Sequence, residues 1–425
     1  MVTQTLGYRY IWIDVLCIIQ DSAKDWLHEA AEMRHVYSNA ILTIAAERTS
    51  EHTAGQNMFG SCNITRSRPF PLRQLEDYTG EDLDHLIRSD GESEKEQLCI
   101  FPDTERNHHF ASRQKGLLDT RGWILQEQLL SPRILYYGQQ QMYWDCIGHS
   151  ASELSPMGIS LLEDSFSGET WAFRLLRRTI AGKGDPEMLA RLIADVWIYV
   201  VQNYSSRTLT KQSDKLIAIQ GVIAALERVL HTSPVAGMWH QDLWKQLIWW
   251  AAKRGISGDT PFPAPTWSWL SVDAPVSHHH SICGGNAAPL KDLAPLADLR
   301  YTVTDIYAEP TSVSAVLKLS TPSFSYTLTT DDLRQIGWKR WHRGKLGLAP
   351  AHWLLDRDIE LPQVLKCAII AEDEVAKMTV GLCLVADGSQ PEIWKRIGLF
   401  VWEELIWQIA REVGQEIQVS HSEVV

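Results

Sequence analysis

The segment RGWILQEQLL, residues 121–130, combines a carboxylate with an aromatic ring and a cation. Trp123 and Glu127 are four residues apart, so both side chains lie on one face of a predicted helix. The alternative is structural: Arg121, Gln126 and Glu127 would form a buried polar network that fixes the helix to a sheet.

A second polar group follows YRYIWIDVL, residues 8–16, which we predict to be a β-strand because it is rich in aromatic and β-branched residues. Ligands of open α/β sheets bind at the carboxyl ends of strands. Asp14, with Cys17 and Gln20 in the following loop, would therefore face such a crevice. Alternatively, Asp14 caps the turn and Cys17 packs in the core. The sequence identifies no histidine partner that would make Cys17 a nucleophile.

Two other residue groups are assigned no chemistry. The HHHSIC cluster at residues 278–283 looks like a set of metal ligands, but no second ligand pair is evident. Gly284 and Gly285 follow it, which favours a flexible loop. The chain has 18 tryptophans, which we expect to anchor loops and core. We therefore predict neither a metal site nor a resident cofactor.

The elements around Asp14 predict a βαβ unit. Ser22 and Asp25 have the spacing of a capping box. An apolar stripe at helical spacing follows: Trp26, Ala30, Met33, Tyr37 and Ala40. The segment ILTIAA, residues 41–46, is a second predicted strand. Strand, helix and strand imply a parallel sheet with a right-handed crossover.

The elements around Glu127 predict a helix and a strand pair. Asp119 or Thr120 would cap the helix, Pro132 would close it, and RILYYG and QMYWDC would pair across the GQQ turn. Helical spacing recurs between about residues 165 and 255, ending with QDLWKQLIWWAAKRG, residues 241–255. The Pro/Trp segment at 261–276 is expected on the surface of this layer, and alternating strands follow it. We predict domains at 1–150, 151–260 and 261–425.

Composition limits the classes of protein that are possible. The chain has a formal net charge of −12 and no long Lys/Arg cluster, which argues against nucleic acid as the main partner. It has neither a long apolar run typical of a membrane span nor an N-terminal signal peptide. Seven cysteines without a CxxC pair favour reduced thiols and a cytoplasmic location. We find no P-loop motif.

With these segments in place, the chain resembles the fungal heterokaryon-incompatibility (HET) domain family. The first matching block is RYIWIDVLCIIQDSAKDWLHEAAEMRHVYSNAILTIAA. The second is LDTRGWILQEQLLSPRILYYG, followed by MYWDC. Looser similarity continues in SDKLIAIQGVI, GMWHQDLWKQLIWW, APTWSWLSVDAPV and RIGLFVWE.

The resemblance implies an α/β fold related to the Toll/interleukin-receptor (TIR) domain, with a flavodoxin-like parallel sheet. It also implies a role in nonself recognition and programmed cell death. NAD-cleaving TIR domains look similar at Trp123 and Glu127. By this match, Glu127 would be the catalytic carboxylate that handles the ribose of NAD, and Trp123 a stacking wall. Arg121 would be available for a phosphate group or for a structural ion pair. The candidate binding residues are Asp14, Cys17, Gln20, Arg121, Trp123 and Gln126.

One departure from the family leaves other functions open. Members normally carry a Leu-Ser-Tyr-x-Trp-Gly block before the Trp-Ile-Asp strand, and this chain has none. We therefore expect an N-terminally truncated HET domain. A non-catalytic interaction module, with a protein partner or through self-association, is one alternative. An inactive remnant of a HET gene is the other.

Overall fold

The structure is a computed structural model. It describes residues 2–47, 70–71, 99–100, 116–138, 142–153, 168–251, 262–278, 293–309, 311–328, 351–356, 360, 363–375, 377–388, 390–402 and 417–425. The chain divides into two compact units that interleave along the sequence. One unit comprises residues 41–118 and 133–165, and the other comprises 1–40, 119–132 and 166–425. In the described part of the chain, no helix is long and apolar enough to cross a membrane.

The smaller unit is built on a mixed four-stranded sheet. Its strands are β1 (Thr43–Ala46), β4 (Arg133–Tyr137), β5 (Met142–Cys146) and β6 (Ser150–Ser152), adjacent in that order. β1 runs parallel to β4, whereas β4–β5 and β5–β6 are antiparallel. Two short strands, β2 (Phe70–Pro71) and β3 (Cys99–Ile100), form a separate pair. The predicted strand at 41–46 and the predicted β4–β5 pair are confirmed.

The larger unit begins with three helices and not with a strand. They are α1 (Val2–Thr5), α2 (Asp14–Cys17) and α3 (Ala23–Asn39). The strand predicted at residues 8–16 is wrong, and so is its place in a βαβ unit. The parallel neighbour of β1 is β4, and aromatic and β-branched composition alone does not make residues 8–16 a strand. Most side chains of this stretch are exposed, including Tyr10 and Leu16.

A helical layer follows α4 (Gly122–Leu130). It comprises α5 (Glu169–Ile180), α6 (Pro186–Ser205), α7 (Ile217–Leu230) and α8 (Leu243–Leu247). The start of α6 shows why these segments fold as they do. Asp185 accepts hydrogen bonds from the Glu187 and Met188 amides, at 2.9 and 3.1 Å, and Pro186 occupies the first helical position. The predicted helices between residues 165 and 230 are confirmed.

The helix predicted over residues 241–255 ends early. α8 stops at Leu247, and Trp249–Ala251 form strand β7, which pairs with β8 (Val276–His278). Aromatic residues suit a strand here, and β7 is fully buried. Helical spacing alone could not separate a long helix from a short helix followed by a buried strand.

The Pro/Trp segment lies in the core, which corrects the surface position expected for it. Trp267 and Trp269 are almost completely buried. The Trp269 indole donates to the Gly237 carbonyl at 2.9 Å. The ammonium of Lys215, itself buried, donates to the carbonyls of Trp269, Leu270 and Val272. Burial lowers the pKa of Lys215 to about 8, an effect that the Asp273 carboxylate opposes.

The C-terminal part is a large sheet, as predicted. Its strands are β9 (Leu293–Pro295), β10 (Arg300–Glu309), β11 (Ser312–Leu328), β12 (Ala351–Leu355), β13 (Gln363–Asp373), β14 (Met378–Asp387), β15 (Gln390–Trp402) and β16 (Gln418–Val424). The order is β10-β11-β16-β15-β14-β13-β9, and β12 pairs with β15. Because β11 also pairs with β13, five strands close into a ring. Alternate side chains of β13 enter two different apolar clusters, so both faces of the strand are covered.

The mixed α/β class is thus confirmed, with a sheet that contains a parallel pair and a β-rich C-terminal region. A buried ion pair of the large sheet also forms hydrogen bonds with the end of the helical layer. Arg396 of β15 donates to Asp356 at 3.1 Å, and both side chains are at most 1% exposed. Arg396 also donates to the carbonyls of Leu247 and Trp249 and lies 3.7 Å from the Trp249 ring centroid. Asp356 accepts from the Ala251 amide at 2.9 Å.

We expect Asp356→Ala to lower the free energy of unfolding by about 3–5 kcal/mol, because it leaves the buried Arg396 cation without its carboxylate. Glu423→Gln is the control, since the Lys318–Glu423 pair is 57% and 49% exposed and is worth at most about 1 kcal/mol. Urea denaturation of both variants provides the measurement. Equal losses in the two variants would contradict the role of Arg396.

Candidate functional site

The candidate site lies where α3 meets α4 in the larger unit. The start of α3 is fixed by Ser22, whose hydroxyl accepts the Asp25 amide at 3.2 Å. Asp25 in turn accepts the Ile19 amide at 2.8 Å, so the predicted cap is present and also holds the preceding loop. Ala30 and Met33 of the predicted apolar stripe are buried. Tyr37, on the same stripe, is half-buried and reaches Glu127.

α4 begins at Arg121 and not at the predicted caps. The Gly122 amide donates to the Thr208 carbonyl at 2.8 Å, which replaces a side-chain cap. A Cβ at Gly122 would lie 2.5 Å from a Leu209 methyl carbon, so a larger residue would displace the Leu209 side chain. Asp119 instead accepts a hydrogen bond from Gln128 at 2.7 Å. The residues that position α4 therefore come partly from a distant segment.

Glu127 carries the most perturbed carboxyl group of the site. Burial raises its pKa to about 7, whereas a hydrogen bond from the Tyr37 hydroxyl acts in the opposite direction. The Asp14 carboxylate raises the pKa further, and the positive charges of Arg121 and Arg207 lower it. A carboxyl group with this pKa exchanges its proton near neutral pH, which suits acid–base or charge-stabilising work.

Two pairs of aromatic side chains pack on α3 and α4. Trp123 is half-buried and packs edge-to-face on Trp26 of α3, with ring centroids 5.9 Å apart. Trp12 packs edge-to-face on Tyr37 at 5.8 Å. Burial, followed by the Glu127 carboxylate, holds the pKa of Tyr37 far above its usual range. The Tyr37 hydroxyl therefore remains protonated and available as a donor.

The structure places the predicted site residues in two groups. Glu127 and Trp123 lie on α4, Arg121 is its N-cap residue, and Asp14 interacts electrostatically with Glu127. Asp14 also accepts the Val15 amide at 2.8 Å.

The remaining candidates have local contacts. The Gln20 side chain turns back to the Ile18 and Asp14 carbonyls, at 3.0 and 3.3 Å. Cys17 is an exposed free thiol. Gln126 is buried and accepts the Gly221 amide at 2.9 Å, which is a helix-packing contact.

Sequence reasoning missed Tyr37 and Arg207 as site residues. Tyr37 was assigned to an apolar stripe, although the hydroxyl of a buried tyrosine usually has a hydrogen-bond partner, and that was the available signal. No sequence pattern links Arg207 to α4, because only the tertiary fold brings the two together. Its guanidinium donates to the Gln128 side chain at 2.9 Å, across 79 residues of sequence.

The described residues contain no group of three or more His, Cys, Asp or Glu side chains that could hold a metal ion. His278 is buried at the end of β8. The other members of the predicted cluster, residues 279–283, lie outside the described residues.

We expect Glu127→Gln to stabilise the fold at high pH. The folded protein must hold a desolvated carboxylate once the pH exceeds 4.5, the pKa of glutamate in the unfolded chain. The free-energy cost of this desolvation grows until the pH reaches about 7. The advantage of glutamine should therefore rise over this pH range and then level off at about 3 kcal/mol. Urea denaturation at pH 5 and pH 8 measures it, with Glu32→Gln, an exposed position on α3, as the control. A difference that is independent of pH would argue against the burial of a charged Glu127.

The comparisons with known proteins address residues 1–127. Searches of curated proteins and of solved structures find no match. Residues 1–127 match the model of the family described as Heterokaryon incompatibility protein (HET). The matched segment includes Asp14, Tyr37, Trp123 and Glu127. The predicted resemblance is therefore confirmed, and residues 1–127 of this chain carry a match to the heterokaryon-incompatibility (HET) family.

Proposed function

We propose that this chain is a HET protein of fungal nonself recognition and programmed cell-death signalling, and that it cleaves NAD through Glu127. The observation that carries the catalytic part is the half-buried Glu127 carboxyl group. Its pKa is raised to about 7 and it accepts the Tyr37 hydroxyl within the family-matched segment. A TIR-like arrangement of the matched segment and a cytoplasmic location belong to the same proposal. Cys17, Cys146, Cys367 and Cys383 are free thiols, which supports that location.

The proposed reaction breaks the N-glycosidic bond between nicotinamide and ribose. The bonding electron pair leaves with nicotinamide, whose ring loses its positive charge, and the ribose carbon becomes oxocarbenium-like. Ionised Glu127 would hold the ribose hydroxyls and stabilise that positive charge. Water then adds to the ribose carbon and releases a proton.

The surrounding side chains have complementary roles in this proposal. Trp123 offers a stacking face, and exposed Arg121 offers a cation for the diphosphate. Asp14 adds a second negative charge near the reacting centre. Of the predicted binding residues, Cys17, Gln20 and Gln126 receive less support, because their contacts in the structure are local or hold helices together.

We expect Glu127→Gln to reduce nicotinamide release from NAD by at least about 100-fold, because it removes the negative charge that stabilises the ribosyl cation. Chromatographic assay of free nicotinamide with the full chain provides the measurement. Glu32→Gln, an exposed acid on α3, should retain wild-type activity. Absence of nicotinamide with the wild-type chain, or unchanged release by Glu127→Gln, would refute NAD cleavage.

A separate observation favours a second candidate function, a non-catalytic module that self-associates. Residues 10–19 expose a set of apolar side chains: Tyr10, Ile11, Val15, Leu16 and Ile19. Contiguous exposed apolar surface is typical of interaction sites. We propose a second copy of the chain as its occupant, in agreement with a signalling role that needs no chemistry.

We expect Leu16→Asp to convert a dimer of the full chain to a monomer, because it places a charge in the apolar contact. Sedimentation equilibrium at micromolar concentration measures the oligomeric state. The control is Val375→Asp, since Val375 and Leu16 are both 76% exposed. A monomeric wild-type chain, or equal dissociation by both variants, would reject self-association through residues 10–19.

A further inference from the structure

Two cysteines face each other across neighbouring strands of the large sheet. Cys367 of β13 and Cys383 of β14 are directly opposite in the antiparallel register. Both thiols are free, and neither side chain has exposed surface. The two residues take no part in the candidate site or in the proposed reaction. The sheet therefore brings together a pair of thiols whose chemistry the proposed function leaves unused.

Both cysteine side chains lie on the same face of the sheet. Successive side chains of a strand point to opposite faces. Leu365 and Ile369, two positions on either side of Cys367, share one apolar cluster with both cysteines, whereas Ala368 belongs to the other cluster. Opposite residues of an antiparallel pair have Cα atoms about 4.5–5.5 Å apart, within the range of roughly 4.4–6.8 Å that a disulfide bond spans. The register therefore gives the two residues the backbone spacing that a disulfide requires.

We propose that Cys367 and Cys383 are a redox-sensitive pair, which forms an intramolecular disulfide when a low-molecular-weight disulfide such as oxidised glutathione reacts with the chain. The thiolate of one cysteine attacks a sulfur atom of oxidised glutathione, forms a mixed disulfide and releases one glutathione. The thiolate of the other cysteine attacks the protein sulfur of that mixed disulfide and releases the second glutathione. The chain loses two electrons and two protons, and the two released glutathione molecules carry them. This inference does not depend on NAD cleavage.

Burial controls how fast this pair can react. The thiolate is the attacking species, and burial raises the pKa of both thiols. Oxidised glutathione also cannot reach a side chain that has no exposed surface. The first attack therefore requires β13 and β14 to open locally, and the register brings the second thiol back to the first when the strands pair again. The disulfide should form slowly, but between these two cysteines.

Peptide mapping of the full chain tests the pair. The reduced chain is incubated with oxidised glutathione at pH 8, the remaining thiols are blocked with iodoacetamide, and non-reduced peptides are identified by mass spectrometry. We expect the Cys367–Cys383 link to be at least about 10-fold more abundant than any other pairing of the seven cysteines, because the register holds these two together. Dithiothreitol should remove the link. Cys146→Ala, at a free cysteine of the smaller unit, should retain it.

Two further arms can overturn the inference. The same oxidation in concentrated urea removes the register, so the pairing should spread over several cysteines. An equal share of the Cys367–Cys383 link in urea and in the folded chain, or its absence from the folded chain, would leave the two cysteines as packing residues. In Cys383→Ala, Cys367 should stop at the mixed disulfide with glutathione. Linkage of Cys367 to a different cysteine in this variant, at the wild-type yield, would also reject the pair.

Discussion

The buried cation of Arg396 sets the constraint on which the larger unit depends. A fully buried guanidinium is tolerated only where its charge and its N–H groups are matched. Asp356 supplies the charge, and two carbonyls from the end of α8 and from β7 take further N–H groups. The same carboxylate accepts the Ala251 amide. One ion pair therefore fixes both the end of a helix and the start of a strand against the large sheet.

Glu127 shows what happens when a buried charge is matched less completely. Its neighbours include one neutral donor, Tyr37, and two arginines that act through space, while Asp14 opposes them. The balance leaves the pKa near 7, so the folded chain carries a group that is costly to ionise. The paired Arg396 stabilises the fold but does not exchange a proton near neutral pH. Ionised Glu127 lowers the free energy of unfolding, but its carboxyl group exchanges a proton near neutral pH. The contrast is why Glu127, and not the better-paired charge, is the functional candidate.

Sequence patterns predicted elements whose causes are local. Ser22 caps α3 because its hydroxyl reaches an amide three residues away, and such spacing is readable. The composition of residues 8–16 is typical of a strand, but strand formation also needs a pairing partner, which composition does not reveal. Trp249–Ala251 were misjudged because Arg396 and Asp356, which hold that strand, lie far along the chain. The site followed the same rule: Glu127 and Trp123 were found by helical spacing, while Arg207 depends on tertiary contacts.

The support of the candidate site extends beyond the segment that the HET family model matches. That match ends at Glu127, yet the start of α4 is held by Thr208, and its middle by the Gly221 amide. A Cβ at Gly221 would lie 2.4 Å from the Gln126 side-chain oxygen, so a larger residue at this position would displace the Gln126 side chain. The position of α4, which carries Glu127, is thus supported by the loop residue Thr208 and by Gly221 of α7. Residues 1–127 carry the chemistry of the proposal, but the helical layer supplies the rigidity that makes their geometry specific.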